Sequence, residues 1–223
     1  MRDYRWIHEF CLNRFGSEQA LEARLPTPVS AEALRDLSED RYLSLMALRV
    51  FRAGLKHSLV DAKWPAFEEV FFGFDPDKVV LMSGEHIERL MGDSRLIRHL
   101  GKLKSVPRNA QMLLDLRHDH GGIAQMIADW PVTEIVTLWR QLVKRGNQLG
   151  GLSAPRYLRM LGKDSFAPTQ DVVAALNAQG VVDRMPTSQR DLAAVQDAFN
   201  IWHSQSGRPM CQLSVMLAHT VNH

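Results

Sequence analysis

The sequence predicts an all-α fold, and three observations carry that prediction. Apolar residues recur at helical spacing in segment after segment, capping residues stand at the segment boundaries, and no strand-like alternation lasts beyond a few residues. The 223 residues suffice for one helical domain, residues 1–223, with a sizeable core. At 45% apolar and 23% charged the composition is that of a globular chain, which excludes long disorder.

The elements follow in order. Ala31 to Leu55 carries Leu34, Leu37, Leu45, Leu48 and Leu55 on a helical stripe, interrupted near Ser38-Glu39-Asp40. Ser83 caps a short helix from Glu85 to Met91, closed by Gly92. Pro107 opens a helix to His118 that packs through Ala110, Leu113 and Leu114. Pro131 to Arg145 places Ile135, Leu138, Trp139 and Leu142 on one stripe, and Gly146 stops it. Ser153 caps the next helix, with Pro155 in its first turn, where a missing N–H costs little. Thr169 caps Gln170 to Gln179, and Ser188 opens a helix with Leu192, Val195, Phe199 and Trp202 inward. Gly207-Arg208-Pro209 then breaks the chain before a last helix bearing Leu213, Met216, Leu217 and Val221.

The N-terminus is charged at once and leads into no apolar run of signal-peptide or membrane-spanning length, which predicts a cytoplasmic protein without a membrane partner. Cys11 and Cys211 are then buried free thiols. There is no CxxC, HExxH or other close set of soft ligands, so neither a metal nor a cofactor is expected. His118-Asp119-His120 resembles the metal-binding pairs of helical phosphohydrolases, but no outlying histidines support it. His219 and His223 stand at i, i+4 without a third ligand and read as a frayed end.

The net charge of +2 does not point to nucleic acid, but its distribution does. Ser94 to Leu114 holds five basic side chains and Ile135 to Lys163 holds six, with no acid in either stretch. The second stretch contains a glycine-rich turn, residues 142–158, with Gly146, Gly150 and Gly151 between two basic helices. Glycine lets successive N–H groups converge on a phosphate, and the N–H groups at Ser153 add to the attraction. Lys144, Arg145 and Arg156 supply charge that positions DNA without reading its sequence. A tight connection between antiparallel helices needs the same glycines, and that reading stays open.

The turn, followed by Ser153-Ala154-Pro155 and by Phe166-Ala167-Pro168-Thr169-Gln170-Asp171, resembles helix-hairpin-helix DNA glycosylases. A second stretch is similar to bacterial 3-methyladenine DNA glycosylase I. It comprises Ala53-Gly54-Leu55, Phe74-Asp75-Pro76 and Ile97-Arg98-His99-Leu100-Gly101-Lys102, closing on Asn109-Ala110. The resemblance implies a helix-hairpin-helix DNA glycosylase-like fold of two helical lobes with a cleft between them. It implies an activity that flips an alkylated, 3-methyladenine-like base out of duplex DNA and hydrolyses its N-glycosidic bond.

This sequence departs from the pattern at several positions. Arg49 stands where the family has a base-contacting glutamate, and His57 where it has a stacking tryptophan. Tyr4 stands where its first zinc-binding cysteine would be. The superfamily aspartate after the hairpin aligns with Thr169, two residues before Asp171, which is the candidate catalytic carboxylate. His57, Arg49, Trp6 and Trp64 are the base-pocket candidates, against ordinary packing or surface roles; Trp139 is expected in the core. With no lysine at an obvious hairpin position for a lyase step, the expectation is a monofunctional monomer acting on damaged duplex DNA. The departures leave a second reading open, a catalytically inactive damaged-DNA or repair-partner binder of the same fold.

Overall fold

A helix begins where a side chain can answer its unpaired N–H groups. In the computed structural model, which describes residues 1–221, Asp3, Ser17, Ser30, Ser83, Thr169 and Ser188 each accept from an N–H of the turn they open. The helices are α1 (Tyr4–Phe15), α2 (Glu18–Glu22), α3 (Ala31–Asp36), α4 (Glu39–Arg52), α5 (His57–Val70), α6 (Pro76–Val79) and α7 (Gly84–Arg89). They continue with α8 (Leu100–His120), α9 (Ile123–Asp129), α10 (Ile135–Arg145), α11 (Ser153–Leu161), α12 (Gln170–Ala178), α13 (Gln189–Ser206) and α14 (Met210–Ala218). No strand occurs among the described residues, as the sequence predicts.

The chain divides into two compact units. A central unit takes residues 30–129 and 140–161; a terminal unit takes residues 1–29, 130–139 and the chain from Gly162 onward. In the central unit α4 packs against α5, α6, α8, α9 and α11. The predicted stripe is therefore displaced. Tyr42, Leu43, Met46, Ala47, Val50 and Phe51 are buried, whereas Leu45 and Leu48 are half-buried and Leu55 is exposed. A helix surrounded by neighbours is buried nearly all round, and a one-face reading of it fails. Phe51, Trp64, Phe67, Phe71 and Phe74 form an aromatic cluster beside it, with ring centroids 4.6 Å apart for Phe51 and Phe67. Each fully buried ring contributes roughly 2–3 kcal/mol of transfer free energy.

Pro107 does not start a helix. It lies inside α8, which begins at Leu100 with His99 Nδ1 accepting from the Lys102 N–H at 3.2 Å. Leu103 and Val106 before the proline are buried, as are Ala110 and Leu113 after it. Burying both sides of one rod outweighs the roughly 3 kcal/mol a mid-helix proline costs.

In the terminal unit Phe166 stacks on Phe199 at 4.1 Å, Trp202 meets Phe199 edge-on, and Trp139 donates to Ser165 Oγ at 3.3 Å. Trp139 is thus a core residue, as expected. Cys11 and Cys211 are both buried, and burial pushes the Cys11 thiol up to about 11. Among the described residues no helix is long and apolar enough to cross a membrane.

Candidate nucleic-acid interface

The glycine-rich turn folds for two separate reasons. A Cβ on Gly146 would stand 2.5 Å from Leu149 Cδ1 and 2.8 Å from the Leu142 carbonyl oxygen, so close packing requires this glycine. Gln148 (φ 63°) and Gly151 (φ 57°) instead take left-handed backbone to reverse the chain. Asn109, buried on α8, braces the turn with both ends of its amide. It accepts from the Asn147 N–H at 2.6 Å and donates to the Asn147 carbonyl at 3.1 Å. The hairpin reading stopped at residue 142 and so missed this brace.

Two expectations about the turn are corrected. Ser153 and Ala154 do not offer their N–H groups outward: they donate to the Gly150 and Leu149 carbonyls, each at 3.1 Å. Nor are the basic residues free of acids. Arg145 pairs with Asp119 at 2.6 Å, Arg95 with Asp93 and Glu69, and Lys104 with Glu88 at 2.9 Å. Asp119 is thus an ion-pair partner at the end of α8, and no cluster of three metal-ligating side chains exists among the described residues. Exposed pairs of this kind are weak and screened by solvent, so a phosphate can compete for the cation. Lys144 and Arg156 are exposed.

Arg49 has a different environment. It is 5% exposed on α4, and its Nε is buried with no hydrogen-bond partner among the described residues. Burial, then the charges of Arg156 and Arg52, lower its pKa. Arg52 is answered by Asp61 at 2.7 Å. Lys102, whose pKa is lowered by burial and by Arg49, donates to the Ala53 carbonyl at 2.6 Å and the Phe51 carbonyl at 3.3 Å.

The remaining candidates fall in both units. His57 is the exposed first residue of α5. Trp64, half-buried, donates to Ser44 Oγ at 3.2 Å and lies nearly parallel to Phe67 and Phe74, so much of its ring is already engaged. In the terminal unit Trp6 is half-buried, with the Arg2 guanidinium 5.4 Å from its ring centre. Asp171 stands in the first turn of α12, where the helix dipole favours a carboxylate, and it acts electrostatically on His219. Burial, and the charges of Arg14 and Arg24, lower the His219 pKa. His223, its suggested partner, lies outside the described residues.

An all-helical chain with a braced glycine-rich turn between basic helices has the helix-hairpin-helix DNA glycosylase fold. An 8-oxoguanine glycosylase/lyase from Methanocaldococcus jannaschii, solved with DNA, is similar over 97% of this chain and 95% of its own, at TM-score 0.51 and 13% identity. A variant of 3-methyladenine DNA glycosylase I from Staphylococcus aureus is similar over 66% of this chain and 89% of its own, at TM-score 0.50 and 22% identity.

The sequence pattern of the methyladenine glycosylase family matches residues 34–184, and the chain belongs to that family. DNA-3-methyladenine glycosylase 1 of Escherichia coli K12 is 33% identical over 79 residues, which is 35% of this chain and 42% of that protein. The Haemophilus influenzae DNA-3-methyladenine glycosylase is 38% identical over 63 residues, 28% of this chain and 34% of its own. The chain thus matches less than half the length of either curated relative.

Proposed function

We propose that this protein is a monofunctional DNA glycosylase of base-excision repair, removing alkylated, 3-methyladenine-like bases from duplex DNA. The observation that carries the reading is the Asn109-braced turn with its basic flanks, lying wholly inside the matched family region. Lys144, Arg145 and Arg156 with the turn at Gly146, Gly150 and Gly151 hold the DNA backbone. Arg145 exchanges Asp119 for a phosphate on binding. Asp171 is the carboxylate that stabilises the sugar as positive charge develops on it, or activates water. His57 and Trp64 receive the extruded base. The protein works as a cytoplasmic monomer with residues 1–223 as one functional domain.

A base already carrying positive charge leaves readily, so the chemistry asks little general-acid help and depends mainly on positioning the carboxylate. The test is release of free base from methylated duplex DNA. Wild type is expected to release methylated purine, Asp171→Asn to lose at least about 100-fold in rate, and His57→Ala to lose less. Binding of DNA without release by wild type would replace this reading with that of a non-catalytic damage binder.

A further inference from the structure

A guanidinium stays charged throughout the physiological range, so burying one costs several kcal/mol unless an opposite charge and hydrogen bonds answer it. Three basic residues in the central unit meet that demand differently from Arg49. Arg52 has Asp61, Lys102 has two backbone carbonyls, and Arg41 has Asp40 and Glu68. Arg49 is the more deeply buried arginine, its Nε has no partner, and the charges acting on it are the cations Arg156 and Arg52. Lys102 feels the Arg49 charge in turn. The fold therefore concentrates positive charge around one buried donor and, among the described residues, supplies no counter-charge there.

We propose that Arg49 and Arg156 together hold one phosphate group. The planar guanidinium fork matches a phosphate's oxygens bidentately, and a full anion offsets several neighbouring cations where a neutral base edge cannot. Arg156 lies in the first turns of α11, directly after the glycine-rich turn, and is exposed. Packing of α4 against α11 then extends that basic surface inward to Arg49. Arg49 in this role positions the backbone and does not read the base; a cationic base beside it would be repelled. That the phosphate is a DNA phosphodiester rests on the function proposed above. Free phosphate has the same chemistry and is separated from it by the test.

The test has two arms, each run on wild type, Arg49→Met, Arg156→Gln and the double variant. In the first, fluorescence anisotropy with an undamaged duplex gives the slope of log affinity against log KCl concentration. Each single variant is expected to reduce the slope by about 0.9, the share of one phosphate, and the double variant to reduce it no further. A double variant that loses twice that amount would assign the arginines to separate phosphates and overturn the shared site. In the second arm, inorganic phosphate replaces chloride at equal ionic strength while melting is followed. Phosphate is expected to raise the wild-type melting temperature and to leave Arg49→Met unmoved.

An unchanged slope with the phosphate stabilisation lost would support the site and give it to free phosphate. Equal behaviour of wild type and both single variants in the two arms would overturn it. Arg156→Gln changes an exposed residue, so it decides the matter even if Arg49→Met does not fold. A wild type that binds no duplex would remove the glycosylase reading, while the phosphate arm still reports on the site.

Discussion

Arg41 and Arg49 sit about two turns apart on the same helix, and their surroundings are opposite. Arg41 is held by both carboxylate oxygens of Glu68, by Asp40 and by the Gly73 carbonyl, and the two carboxylates raise its pKa against the cost of burial. Arg49 has a buried nitrogen with no acceptor and cations for neighbours, and its pKa falls. The less buried arginine is the better satisfied one. A side chain that serves the fold is satisfied by the fold, whereas one that is buried and unanswered costs stability and implies a partner from outside.

The contrast can be broken most sharply at Arg41. Arg41→Met leaves the part-buried Glu68 carboxylate with Ser44 as its remaining strong donor. A loss of about 2 kcal/mol is expected in urea unfolding at neutral pH. The effect carries a pH signature. Burial pushes the Glu68 carboxyl up, but hydrogen bonds from Arg41 and Ser44 outweigh it and set the pKa below the ordinary 4.5. Its stabilisation is therefore complete above about pH 4.5 and is lost as pH falls through the lower folded value. Arg41→Met should flatten that acid-side decline, and a decline as steep as in wild type would show that Glu68 is not its source.

Ser44→Ala tests the same network more gently. Ser44 Oγ donates to Glu68 at 2.6 Å and accepts from Trp64 Nε1 at 3.2 Å. About 1 kcal/mol should be lost, together with a change in Trp64 fluorescence; a silent emission spectrum would place Trp64 elsewhere. Arg49→Met is expected to have the smallest effect and the opposite sign, a gain of about 0.5 kcal/mol without phosphate, because an unanswered buried charge is removed. A loss above about 1 kcal/mol would mean that Arg49 supports the fold, and the contrast with Arg41 would fail.

Features decided within a few residues were legible in the sequence. The Ser83, Thr169 and Ser188 caps, the break at Gly207-Arg208-Pro209 and the inward Val195, Phe199 and Trp202 are all present. Features decided across the chain were not. Reading charge along the backbone could not reveal that Asp119 and Arg145 meet 26 residues apart, or that Glu69 reaches Arg95 over the same separation. Pro107 was misread because the local rule for proline is right about the missing N–H and silent about the packing on either side. The amino acid at position 49 was visible as an oddity, but its burial depended on α4 lying amid five other helices. Of the site, the turn and its glycines were readable, and the Asn109 brace was not.

The terminal unit is assembled from three stretches of chain, and this bears on how the protein is made. Its first stretch is synthesised ahead of the other two, yet its hydrogen-bond partners include Gln179, Gln205 and Met216, 177 to 205 residues further along the chain. The central unit takes no residue beyond Leu161. During synthesis α1 and α2 must therefore wait with apolar surface uncovered while the central unit assembles, which makes the N-terminal segment the natural client of a chaperone and the first target of a protease.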